Sequence, residues 1–255
     1  MKEENLILTQ DYINSNLNEG IITVDLSSWE EFLCLIREKR LHIGNYIWRG
    51  QRSIDWLLES KLERTLKKFE INGSLKYLER FKYGVRGEQD LEYERLDSDD
   101  DWWAAGQNHS LFSPLLEWTS SPFIAAFYAF YKDDDNRDKR VIYSFAPRIV
   151  NHINNKLRLE NFGVSEDDLL VKCLNPLFDV NSRLADRSGL FTKSPIGIDI
   201  EQWVRKNFSL AGNYKAILLK LTLPNDKRIH ILNALNKMNI NPLTIFPEYQ
   251  GGLKK

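Results

Sequence analysis

The chain has 255 residues, of which 42% are hydrophobic, 28% charged and 12% aromatic, enough for a buried core and incompatible with wholesale disorder. Its 35 lysines and arginines against 36 acids give a net charge of −1, which argues against a general electrostatic hold on nucleic acid and leaves room only for a local basic groove. Cys34 and Cys173 alone cannot build a disulfide framework or a zinc site, and no apolar run reaches the roughly 20 residues that span a bilayer, so a reducing, cytoplasmic, membrane-free setting is expected.

Residues 1–20 are polar and read as an N-terminal arm, and 21–255 as one domain without repeats or a linker. Residues 21–24 (I-I-T-V) form a short strand. Ser28 followed by Glu31 is a capping-box pattern opening a helix to about residue 40, with Cys34 packed inside it. Residues 46–48 make a strand that ends in Arg49, Gly50 and Gln51. Apolar positions at helical spacing predict two charged helices over 61–98, broken near Asn72 and Gly73. Acidic residues 97–101 then start a helix carrying Trp102 and Trp103, where negative charge suits the helix dipole.

Residues 121–131 carry the clearest local signal: Ser121 caps, Pro122 takes the first helical position, and 123–130 (F-I-A-A-F-Y-A-F) are apolar all round. Such a helix must be buried. Residues 141–145 form a strand, and 146–196 read as loop with short helical pieces, one at 166–173. A helix over 198–207, the strongest strand at 214–223 and a helix with Ile231, Leu232, Leu235 and Met238 on its core face follow. These elements predict an α+β fold: a mixed, mainly antiparallel sheet with helices packed on it.

No phosphate-binding loop, dinucleotide fingerprint, zinc-protease motif or nucleophile elbow occurs, and His42, His109, His152 and His230 show no metal-ligand spacing. Three segments stand out. Arg49 at a strand end either offers a fixed donor fork to an anion or pairs with a carboxylate, and Gly50 permits close backbone approach. Thr119, Ser120 and Ser121 lie between a strand and a buried helix, placed to cap it or to orient a ligand. Glu248 follows Pro247 and precedes Gly251 and Gly252, either as a held carboxylate or as a plain surface turn.

In this order the segments resemble the FRG domain family, named for an aromatic-Arg-Gly motif. Residues 46–51 (Y-I-W-R-G-Q) look like that motif, and 107–119 (Q-N-H-S-L-F-S-P-L-L-E-W-T) align without gaps to Q-H-x-G-L-P-T-R-L-L-D-W-T. Asn181, Arg183, Gly189 and Phe191 look like its N-x-R…G-x-F region, and 245–251 like its closing L-F-P-D-L-x-G. Asn108, Phe112 and Pro114 depart from the family's His, Pro and Arg, while Glu117 and Glu248 replace Asp.

The same order, Arg, then Thr-Ser before a buried helix, then Glu, is similar to the R-S-E arrangement of ADP-ribosyltransferases. That resemblance implies an ADP-ribosyltransferase-like fold and NAD as substrate, with no metal. It carries phosphate or ribose contact to Arg49, ribose orientation to Thr119 and Ser120, and sugar activation to Glu248. Gly50, Gln107 and, by a one-residue shift, His109 complete the implied NAD contacts, and Trp48, Trp118 and Tyr249 offer rings for stacking. Arg49 and Glu248 are the expected catalytic pair. The product is ADP-ribose passed to a protein or nucleic-acid acceptor, or to water, in a role of the toxin or phage-defence kind. The alternatives are a catalytically silent nucleotide- or partner-binding module and a nucleic-acid-modifying enzyme.

Overall fold

The computed structural model describes residues 10–38, 46–69, 74–85, 96–108, 111–133, 138–175, 190–214 and 216–246. The expected N-terminal arm is folded from residue 10 onward. Helix α1 (Gln10–Asn16) buries Ile13, and β1 (Leu17–Asn18) pairs with β2 (Ile21–Asp25). Glu19 and Gly20 join them with φ of 48° and 87°, the left-handed geometry that a two-residue hairpin turn requires. Polarity hid this segment, because a lone buried isoleucine leaves little period to read.

The central strand is β8 (Leu218–Pro224). It runs parallel to β2 on one side and antiparallel to β5 (Lys139–Phe145) on the other, and β5 pairs antiparallel with the edge strand β3 (Ile47–Gln51). The order β1-β2-β8-β5-β3 is the mixed, mainly antiparallel sheet expected. Its strands are apolar on both faces because both are covered. Ile22, Val24, Ile142, Leu219 and Leu221 pack under α2 (Trp29–Ile36), α6 (Pro122–Phe130) and α10 (Arg228–Lys237). Ile21, Val141, Tyr143, Phe145 and Leu218 pack under α7 (Pro147–Glu160) and α9 (Ile200–Asn207).

Helix α6 is capped by Ser121, whose hydroxyl accepts from the Ile124 amide, and buries Phe127 and Phe130 completely. Each phenylalanine contributes roughly 1.5–3 kcal/mol relative to exposure. A second sheet, β4 (Leu115–Trp118), β7 (Leu190–Lys193) and β6 (Lys172–Leu174), is antiparallel. Leu115 and Phe191 of that sheet join a third apolar cluster with α3 (Lys61–Phe69), α4 (Ser74–Gly84) and α5 (Asp99–Asn108).

Several boundaries differ from those the sequence predicts. The stretch read as loop holds the 14-residue α7, whose Ile149, Val150, Ile153 and Leu157 sit at helical spacing among asparagines. The helix expected over 166–173 stops at Leu169 (α8, Glu166–Leu169), and Lys172–Leu174 is strand because it pairs with β7. The strand expected from Tyr214 begins at Leu218. Met238 is exposed just past the end of α10, and Cys34 points to solvent because α2 buries Trp29, Phe32 and Leu35. Ser28 caps α2 as expected, but the Glu31 carboxylate accepts from Ser27, not from the cap. The break expected near Asn72 lies outside the described residues. No helix of the described residues is long and apolar enough to cross a membrane.

Helix α3 opens on a reciprocal cap: the Glu63 amide donates to Ser60 Oγ, and the Ser60 amide donates to the Glu63 carboxylate. Burial pushes the Glu63 carboxyl up to about 7 against the lowering effect of the Ser60 hydrogen bonds. Between its ordinary value of 4.5 and about 7, the folded chain therefore keeps a proton that the unfolded chain has lost. Stability drawn from this site falls as pH rises through that window. The melting temperature of Glu63→Gln relative to wild type should accordingly rise from pH 5 to pH 8. A difference independent of pH would show that Glu63 titrates normally.

Candidate functional site

Edge strand β3 has one ladder partner, β5, so the backbone on its other side needs a different one. Trp48 finds it. Its N–H donates to the Thr119 carbonyl at 2.7 Å and its carbonyl accepts from the Thr119 N–H at 2.8 Å, an antiparallel bridge that joins the two sheets. A ladder continued from this pair would next join Gly50 to Glu117. Arg49 interrupts it, because its Nη1 donates to the Glu117 carbonyl at 2.7 Å. The pleat turns the N–H and carbonyl of Gly50 to the same side as those of Trp48, into the space where β3 and β4 part.

That space is a cleft of about 260 Å³, just below the usual range of small-molecule sites. Trp48 to Arg52 form one wall and Glu117 to Thr119 the other. Ala125 and Tyr128 of α6 form the floor, and Trp56, Arg64, Tyr131 and Lys132 the rim. The floor touches β3 because residue 50 has no side chain: a Cβ there would stand 1.8 Å from the Ala125 carbonyl oxygen. Small residues on α6, Ala125 and Ala129, meet glycine on the strand, and the helix backbone lies on the sheet.

Four cationic side chains, Arg49, Arg52, Arg64 and Lys132, line the cleft against one carboxylate, Glu117. Burial pulls the Arg49 guanidinium down to about 10, with Glu117 opposing the shift and Arg64 adding to it, so it remains charged at neutral pH. Arg49 Nε is buried and has no hydrogen-bond partner among the described residues. The Arg52 guanidinium lies 4.9 Å from the centre of the Trp56 ring. Tyr128 and Tyr131 meet edge to face at 6.4 Å.

The end of one wall and one rim position are held by Arg140, which is fully buried. Its Nε donates to Asn225 Oδ1 at 2.8 Å, its Nη1 to the Arg52 carbonyl at 2.9 Å and its Nη2 to the Lys132 carbonyl at 3.5 Å. Arg228 similarly donates to the carbonyls of Phe130 and Tyr131, holding the C-terminal end of α6.

Of the residues the sequence singles out, Arg49, Gly50 and Thr119 come together here. Thr119 Oγ1 accepts from the Ser121 amide at 3.1 Å, and Ser121 caps α6. Ser120 does not line the cleft. Neither does Gln107, whose Oε1 accepts from Ser113 Oγ at 2.8 Å on the end of α5. His109 and Glu248 lie outside the described residues, as do Tyr249, Asn181, Arg183 and Gly189. Trp48 and Trp118 back the cleft as core: each is 1% exposed, and Trp118 stacks on Phe145 at 5.3 Å while its Nε1 donates to Thr192 Oγ1.

Sequence reasoning misses Arg52, Arg64, Glu117, Tyr128, Tyr131 and Lys132 as lining residues. Glu117 had a signal, since it stands two residues before Thr119 on the same strand face. Arg64 had none, because it arrives from a separate helix. Among the described residues no cluster of three or more His, Cys, Asp or Glu is placed to hold a metal ion. No curated protein and no solved structure matches the chain. The family model of the FRG domain does match, over residues 44–138, which include every residue lining the cleft, so an FRG domain is present in this chain and builds the site.

Proposed function

We propose that the cleft binds NAD and that the protein, with an ADP-ribosyltransferase-like fold, passes ADP-ribose from it to an acceptor or to water. The parted ladder carries this reading. Gly50 turns one amide donor and one carbonyl acceptor into a cation-lined cleft, and that pair complements a primary carboxamide such as the one on nicotinamide. Arg49, Arg52, Arg64 and Lys132 suit the pyrophosphate, and Thr119, in the same lining, is the residue assigned to the ribose. Tyr128 and Tyr131 offer rings to a base. Phe246, two residues before Glu248 in sequence, packs on both tyrosines, with ring centres at 6.0 and 5.3 Å.

In the reaction, the bond from ribose C1′ to the nicotinamide nitrogen breaks and its electron pair leaves with nicotinamide. C1′ then takes a lone pair from the acceptor or from water, which releases a proton. Nicotinamide is already a cationic leaving group, so the protein's work is to hold the dinucleotide and to stabilise positive charge growing on the ribose. Glu248 is the carboxylate assigned to that charge.

The full chain with millimolar NAD should show a raised melting temperature, as a ligand of the native state alone produces, and should release nicotinamide, faster with cell extract if the acceptor is a macromolecule. Neither effect under any condition would overturn the reading in favour of a silent binding module. The clustering of three further cations about Arg49 favours a second reading, a nucleic-acid-modifying enzyme. Under it, a single-stranded oligonucleotide rather than NAD would protect the fold.

A further inference from the structure

The cleft is rich in donors, and its acceptors are the feature that the cations leave unexplained. The Glu117 side chain is half-buried in the lining, and its carboxylate makes no hydrogen bond or ion pair among the described residues, although Arg49 holds the carbonyl of the same residue. Gln51 is 4% exposed and also lines the cleft. Its Nε2 donates to the Leu57 carbonyl at 3.4 Å, while its Oε1 is buried with no partner among the described residues. With almost no accessible surface that oxygen is out of a ligand's reach, so the acceptor that the cleft presents is the Glu117 carboxylate.

A pyrophosphate diester cannot be the partner of that carboxylate. It brings only acceptors near neutral pH, and it is repelled by Glu117. Neutral hydroxyl groups supply what the Glu117 carboxylate needs, and it can accept a hydrogen bond from each hydroxyl of a vicinal diol. Arginines for a phosphate and a carboxylate for hydroxyls in one cleft describe a phosphorylated sugar.

We propose that Glu117 is the sugar-hydroxyl acceptor of the cleft, so that the ligand class is a ribosyl phosphate with free vicinal hydroxyls. This rests on reading the cleft as a nucleotide site, and adds a specificity-determining residue distinct from Glu248.

The test compares inorganic pyrophosphate with ADP-ribose by titration calorimetry on wild type, Glu117→Gln and Glu117→Asp. Wild type should bind ADP-ribose more tightly than pyrophosphate. In Glu117→Gln, loss of a like charge should tighten pyrophosphate, and the preference for ADP-ribose should fall by roughly tenfold, the scale of one charge-assisted hydrogen bond. Glu117→Asp keeps the charge and should keep most of the preference. A purely structural role would weaken both ligands together.

An unchanged preference in Glu117→Gln, or equal binding of the two ligands by wild type, overturns the proposal while NAD turnover can still stand. The expected pattern without nicotinamide release from NAD overturns the proposed reaction and leaves the sugar site in place. Binding of neither probe overturns both.

Discussion

Under the proposed reaction, Arg49→Ala is expected to slow nicotinamide release by roughly 100- to 1000-fold and to abolish the protection expected from NAD against melting, with the fold retained. The substitution removes the guanidinium that holds the Glu117 carbonyl at 2.7 Å and leaves that carbonyl facing the cleft. It also removes the buried Nε, which has no hydrogen-bond partner among the described residues. Lysine should not rescue it, because one ammonium cannot reproduce a planar fork that grips a strand carbonyl and an anion together. Glu248→Gln should behave differently: turnover falls by roughly 100-fold while NAD affinity changes much less, since the charge matters most when the ribose becomes cationic. Single-turnover rates and binding constants for the three proteins separate these effects. Release by Arg49→Ala within threefold of wild type would remove Arg49 from the site.

Gly50→Ala should destabilise the protein by about 3 kcal/mol, the upper end of overpacking costs, and should impair the cleft with it. The added methyl would stand 1.8 Å from the Ala125 carbonyl oxygen and 2.7 Å from the Ala129 nitrogen, both backbone atoms of a helix that cannot yield locally. Relief requires α6 to lift off β3, which shifts Tyr128 as well as Ala125 at the cleft floor. Chemical denaturation measures the loss. Full stability with an intact ligand response would show that strand and helix are less closely joined than the geometry requires.

The elements that position the cleft were legible because local rules and burial agree in them. Ser121, Pro122 and an all-apolar run specify a capped, buried α6 without help from the rest of the chain. Arg49, Gly50 and Thr119 were legible as a motif, yet their relation was not: segments far apart in sequence are joined by the Trp48–Thr119 bridge and the Arg49–Glu117 hydrogen bond, and nothing local encodes either. Arg64 and Lys132 entered the site from α3 and from the end of α6 as ordinary surface cations, indistinguishable in sequence from any others. Glu117 was read through its neighbours, as a conservative change in a strand, because a strand position two residues from Thr119 gains meaning only when the opposite wall is known. Helix α7 was missed for another reason: Asn151, Asn154 and Asn155 dilute its apolar period, while Asn154 is buried and its amide donates to the Val171 carbonyl.

Arg140 gives the mouth of the cleft a fixed gauge. A single rigid, planar group reaches the main chain on both banks at once, at Arg52 after β3 and at Lys132 after α6. Neither bank can swing without breaking a bond from a cation that has no water to turn to. The aperture between those two points is thus set during folding, before any ligand arrives. Fitting of the opening to its occupant is left to the third bank, where Arg64 stands exposed on a helix outside this clamp.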